Sequence, residues 1–222
     1  MTPPGRSEDE HRSAQREGTP STPVHRDPRE ERSSFLLVPR DAVAPQAWRN
    51  GGGRTRELLT WPDSESWRVR VSVADIESDG PFSSFPGVQR WFTVLQGRGV
   101  ELTIDGESRR LTRNDEPLHF DGAATTLCRL LDGPTLDLNL MLRGVPGRLR
   151  VAADGVEWRP VLAQCGLFTA VNGECRVGGE AIALPACSLL WFARSPGTLR
   201  FEASRRPAAD AAWWLEAGEA ST

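Results

Sequence analysis

From Phe35 onward the chain is built of short runs in which apolar and polar residues often alternate: "RTRELLTW", "WRVRVSVADI", "QRWFTVLQ", "GVELTIDG" and "LDLNLML". A period of two puts successive side chains on opposite faces of a strand, and no helix can bury such a pattern on one side. Glycine, proline, asparagine or aspartate breaks each run, as antiparallel strands of a sandwich or barrel require. The sharpest of these breaks is "TIDGES", where Asp105-Gly106 between two alternating runs predicts a two-residue hairpin turn. Helix is suggested at two places, "DAVAPQAW" (41–48), which contains Pro45, and the alanine-rich "RRPAADAAWWLEA" (205–217). The expected class is all-β with one or two short helices.

Residues 1–34 have a different texture. They hold no aromatic residue and one aliphatic beyond alanine and Met1, namely Val24. Such a segment cannot bury enough apolar surface to offset its ordering entropy, and it reads as a disordered extension. It carries His11 and His25, two of the three histidines, which read as solvated. Beyond it, "VLQGRGVELTIDGESRRLTRNDEPLHF" (94–120) is echoed by "AVNGECRVGGEAIALPACSLLWF" (170–192). Both run through a glycine turn, a hairpin and a proline-led strand, which suggests one supersecondary unit used twice. The expected division is a first β-barrel over 35–150 and a second, reduced one over 151–222.

A net charge of −3 gives no overall field for nucleic acid or an anionic membrane. All 27 cationic residues are arginine, which reads as compositional bias, since no recognition surface needs lysine removed from a whole chain. Cys128, Cys165, Cys175 and Cys187 contain no C-x-x-C pair and read as free, partly buried thiols. No apolar run approaches the ~18 residues of a membrane helix, and the N-terminus has no apolar leader. A cytoplasmic protein is the expectation.

Three motifs in order, "WRNGGGRTREL", "RVSVADIESDGPFSSFPGVQR" and "LLDGPTLDLNLMLRG", resemble the HutD/Ves family, strongly over 36–150 and more loosely beyond. The resemblance implies a bicupin, two cupin-like double-stranded β-barrels in one chain. It also implies association with histidine-utilisation genes, and a carboxylated pathway metabolite such as urocanate or a formyl-glutamate as ligand. A homodimer is expected by analogy with cupins, which pair through their sheets. Metal cupins need about three histidines and a carboxylate. The domain beyond residue 34 has one histidine, His119, so neither a metal nor another cofactor is expected.

The candidate ligand residues follow from strand faces. The triple glycine lacks the G-K-[ST] of a phosphate loop. Either it turns a corner, or Asn50 and Thr55 beside it reach a ligand. Arg70 and Ser72 share a face of "RVSVADI" and suit a carboxylate, arginine through its bidentate fork. Phe82 and Phe85 in the Pro/Gly loop, with Phe120, are core plugs or walls over a flat ligand, and Arg90 follows them. Asp137 and Asn139 alternate with leucines in "LDLNLM". If buried they need partners, and the arginines are the natural ones. Three functions compete: a metal-free binder of a small carboxylate, a cofactor-independent isomerase or hydrolase with Asp137 or His119 as general base, and a scaffold acting through its N-terminal tail. Adjacent Trp213 and Trp214 read as core residues or as a dimer anchor.

Overall fold

The leucine-rich run near residue 138 becomes the central strand β11 (Thr135–Arg143) of a six-stranded antiparallel sheet. A computed structural model of the chain describes residues 35–205 and 211–220, and strands are numbered along it. Across the six-stranded sheet the order is β2 (Gln46–Ala47), β3 (Gly53–Trp61), β4 (Val69–Ile76), β11, β6 (Val88–Gln96) and β9 (Leu118–Asp121). A four-stranded sheet of β5 (Gly80–Pro81), β10 (Thr126–Leu130), β7 (Val100–Ile104) and β8 (Glu107–Leu111) packs against one of its faces. A five-stranded sheet runs β1 (Phe35–Pro39), β17 (Ser188–Phe192), β14 (Leu162–Thr169), β19 (Ala212–Ala220), β12 (Gly147–Val151). A second four-stranded sheet completes the fold with β13 (Glu157–Trp158), β18 (Leu199–Ala203), β15 (Gly173–Val177) and β16 (Glu180–Leu184).

Three hydrophobic cores order these sheets into four layers. Ala74, Ile76, Phe92 and Val94 of the six-stranded sheet meet Val100, Leu102 and Cys128 of its four-stranded partner. Cys165, Phe192 and Trp214 of the five-stranded sheet meet Cys175, Leu199 and Phe201. Between these two sandwiches lies the third core, where Val71, Val73, Leu138, Leu140 and Leu142 face Phe168, Leu189, Trp213 and Leu215. The two larger sheets are therefore buried on both faces, and their central strands read as almost unbroken apolar runs.

The duplication is visible in the strand order. β4 through β11 pair in the same sequence as β12 through β19, each strand matching the one eight places later. Asp105 and Gly106 turn between β7 and β8 with φ of 47° and 91°, and Gly178 and Gly179 do the same between β15 and β16 with 57° and 86°. Positive φ at both central residues is the twist-compatible hairpin turn predicted from "DG". The division at residue 150 is crossed: β1 and most of β12 precede it, yet both belong to the C-terminal five-stranded sheet. The first sandwich in turn gains β2 and β3, which have no counterparts in the second.

Each sandwich is two open cupin-like sheets face to face rather than a closed barrel. Helix content is smaller than expected. Residues 41–48 give one 3-10 turn (Arg40–Ala42) and the short β2. Of the alanine-rich tail, Ala212–Ala220 is a strand, because β19 sits between β14 and β12 with both faces covered, and tertiary burial outweighs alanine's helix propensity. Trp213 and Trp214 point into different cores, so they are core residues and not a dimer anchor. All four cysteines are free. Among the described residues no helix is long and apolar enough to cross a membrane. Residues 1–34, with His11 and His25, lie outside the described residues. Leu138 has no exposure and serves the core that joins the sandwiches, so Leu138→Ala is expected to lower urea-unfolding stability by about 2–5 kcal/mol.

Candidate functional site

The second face of β11 carries Asp137, Asn139 and Met141, and it looks into the first sandwich. Antiparallel register sets neighbours from β6 and β4 beside each of them on that face. Arg90, Met141 and Arg70 form one row, Phe92, Asn139 and Ser72 the next, and Val94, Asp137 and Ala74 the third. The first two rows, with Ala74 of the third and Ile76 beyond it on β4, floor a cavity of about 510 Å3. Its sides are Pro81 of β5 with Phe82 and Phe85 of the loop that follows it, and its rim is Gln46, Trp48, Arg49, Asn50 and Thr55.

Arg90 dominates the electrostatics. It is 6% exposed, and no carboxylate lies within ion-pair distance of it among the described residues. Its Nη2 donates to Asn139 Oδ1 at 2.9 Å, and its buried Nε has no partner. Three phenyl rings surround the guanidinium carbon, Phe120 at 5.0 Å, Phe82 at 5.1 Å and Phe85 at 5.9 Å from their centroids. Ring faces attract a cation but do not neutralise it. Burial, and then the nearby Arg70, pull the Arg90 pKa down to about 10, so it remains charged at neutral pH.

The other polar groups of the floor have unspent donors. With Oδ1 engaged by Arg90, the Asn139 Nδ2 makes no hydrogen bond among the described residues, and neither does the Ser72 hydroxyl. Arg70 is partly spent: its Nε donates to Glu57 Oε2 at 2.5 Å and its Nη1 contacts Met141 Sδ at 3.5 Å. The floor thus presents a charged guanidinium, an amide NH2 and a hydroxyl, walled by aromatic rings. That arrangement suits a small organic anion.

The triple glycine shapes the rim. Asn50 Oδ1 accepts the Gly52 amide at 3.0 Å, closing a local turn in which Gly51 has φ of 71°. A Cβ on Gly53 would lie 2.3 Å from the Asp75 carbonyl, so only glycine lets β3 begin this close to β4. Thr55 accepts the Trp48 indole N–H at 2.8 Å and so orients that ring at the cavity edge.

Eight of the ten expected ligand residues line this one cavity: Asn50, Thr55, Arg70, Ser72, Phe82, Phe85, Arg90 and Asn139. Two do not. Phe120 stands against Arg90 without forming wall. Asp137 is fully buried in the third row, where the Thr135 hydroxyl donates to its Oδ2 at 2.7 Å and Oδ1 has no partner. Burial holds its carboxyl well above the ordinary range, which opposes the anionic form that a general base needs. His119 is exposed on the opposite face of β9, stacked on Trp91 at 4.0 Å and bonded to Gln89 at 2.8 Å, away from the cavity. Gln46, Trp48, Arg49, Phe92 and Met141 escaped the sequence reading. Phe92 was within reach, because it shares a face with Arg90 two residues before it. Among the described residues, no three His, Cys, Asp or Glu side chains group to hold a metal ion.

A family model described as HutD matches residues 40–209. An uncharacterized 21.2 kDa protein in the hutC 3′ region of Pseudomonas putida is 42% identical over 96 residues, which span 42% of this chain and 50% of that protein. Protein Ves of Cronobacter sakazakii is 30% identical over 154 residues, 69% of this chain and 84% of that one. The structure of HutD from Pseudomonas fluorescens SBW25 superposes with a TM-score of 0.71 at 28% identity, covering 85% of this chain and all of that one. The fold alone extends further, to YlbA of E. coli at 10% identity and a TM-score of 0.62.

A buried cation without a carboxylate costs folding energy that an apolar side chain of similar length would not. Arg90→Met is therefore expected to leave the ligand-free protein as stable as the parent or more stable, by up to about 3 kcal/mol in urea unfolding. A large loss of stability would instead mark Arg90 as a structural strut.

Proposed function

Because the chain belongs to the HutD family, we propose that it is a binding protein for a small carboxylate of histidine degradation, urocanate or a formyl-glutamate, and that it modulates that pathway. The observation carrying this reading is Arg90, a buried and charged guanidinium that faces a cavity of about 510 Å3 with no carboxylate among the described residues to balance it. A ligand carboxylate supplies the missing charge, takes up the guanidinium's free N–H groups, and receives the Ser72 hydroxyl and the Asn139 amide. Phe82, Phe85, Phe92 and Trp48 cover the rest of the molecule. Two relatives support the reading. One lies in a hutC 3′ region, and the other, the HutD of P. fluorescens, has a structure described for a formate condition, formate being the smallest carboxylate. The match to the P. putida protein spans half of its length, so the pathway assignment is carried by the cavity chemistry and the family together. Catalysis by Asp137 or His119 draws no support from their positions, since one is fully buried off the cavity lining and the other faces away.

Thermal melting with urocanate, N-formyl-glutamate, glutamate and formate tests the proposal. At a hundred times Kd the correct acid stabilises by about 2.7 kcal/mol, which for a domain of this size raises Tm by roughly 5–10 °C. Arg90→Ala is expected to abolish the rise. If none of the four acids moves Tm, the proposal fails. Asn139→Asp gives a second, independent check: a carboxylate at the position that already holds Arg90 balances its charge from within. This variant should melt above the parent and bind none of the acids, as read by calorimetric titration.

A further inference from the structure

We propose that Glu57 sets the charge of the anion this cavity accepts: by pairing with Arg70 it leaves one guanidinium unbalanced and restricts the site to ligands carrying a single negative charge. The inference rests on the anion-binding reading above and narrows it: urocanate carries one carboxylate and N-formyl-glutamate two, so of the two acids named there it selects urocanate.

Arg90 and Arg70 flank Met141 in the same row of the six-stranded sheet, so their Cα atoms are two strand spacings apart, roughly 10 Å. Both line the same cavity. Two free arginines at that spacing would clamp a dicarboxylate, one fork at each end. The structure spends one of them. Glu57, opposite Ser72 on β3, accepts from Arg70 Nε at 2.5 Å, and Met141 Sδ occupies Nη1.

The other charges near the site do not alter the count. Arg54 and Arg56 pair with Asp75 and Glu77, outside the lining. Arg49 is exposed at the rim, where solvent screens it. Asp137 is fully buried off the lining, with its Oδ2 taken by the Thr135 hydroxyl and burial opposing its charged form. One unbalanced positive charge therefore remains inside, on Arg90. A second ligand carboxylate would be desolvated without a partner and drawn toward an arginine whose fork Glu57 already holds.

The test compares succinate with succinamate, which have the same backbone and differ in one charge. Kd values are measured by calorimetric titration at pH 8 and constant ionic strength. The parent protein is expected to bind succinamate at least as tightly as succinate. In Glu57→Gln the freed Arg70 should shift the ratio toward succinate by about tenfold or more, the equivalent of roughly one charge-assisted hydrogen bond. Glu57→Ala should shift it the same way, and the double variant Glu57→Gln/Arg70→Gln should lose the shift. A ratio within twofold of the parent in both single variants overturns the inference while leaving anion binding intact, even if Tm changes. Binding of neither acid by any of these proteins overturns it as well, and if the four acids of the melting screen also fail, the binding reading falls with it.

Discussion

β11 is buried on both faces, and the two faces have opposite chemistry. Leu136, Leu138, Leu140 and Leu142 enter the core that joins the two sandwiches, while Asp137, Asn139 and Met141 look into the first one. The leucine face has one efficient use, exclusion of water between two large sheets. The polar face has no such use and must find partners or a ligand. Because side chains alternate strictly, satisfying the leucines against Phe168, Trp213 and Leu215 leaves the polar set no choice of side. The position of the cavity thus follows from the packing of the other face.

Within the cavity the unusual cost is Arg90. Three phenyl rings and one amide hold the guanidinium in place without cancelling its charge. The second sandwich uses related geometry for a different end. There Arg148 of β12 lies opposite Glu216 of β19, and the two are ion-paired. Glu216 is itself buried and also accepts the Val161 and Leu162 amides. Trp158 and Trp214 stack at 4.6 Å in the core beside it. In that half the charge is balanced by the protein, and two indole rings stack in the core. In the first half the central strand offers Met141 opposite Arg70, and Arg90 on the next strand is left with its charge unbalanced. The duplicated scaffold thus holds a balanced ion pair in one half and an unbalanced arginine beside a cavity in the other. The difference rests on where carboxylates were placed, since strand order is common to both.

Much of this was legible in the chain itself. Alternation and turn residues specified the all-β class, the DG hairpin and the repeat, because each is a local property of neighbouring residues. Arg70 with Ser72, and Asp137 with Asn139, could be assigned to common faces for the same reason. Trp48 was hidden by the stretch around it, whose alanines read as helix until β2 paired with β3. Asp137 looked like a ligand contact because a strand face says which side a residue takes and nothing about depth. Its row reaches the cavity through Ala74, while Asp137 itself is fully buried off the lining and bonded to Thr135. The alanine-rich tail misled for the converse reason: β19 is a strand through its neighbours on both sides, which are separated from it by tens of residues.

The amino-acid order alone therefore determined strand identity, strand faces and the supply of arginines, aromatics and amides, all of which depend on spacing along the backbone. Tertiary structure decided which face is interior, which arginine is balanced and which is not. Those outcomes depend on partners brought together across sheets: Glu57 reaching Arg70, no carboxylate among the described residues reaching Arg90, and Phe82, Phe85 and Phe120 converging on one guanidinium. Burial and charge compensation are properties of a folded neighbourhood, and a linear pattern contains the participants without stating which of them will meet.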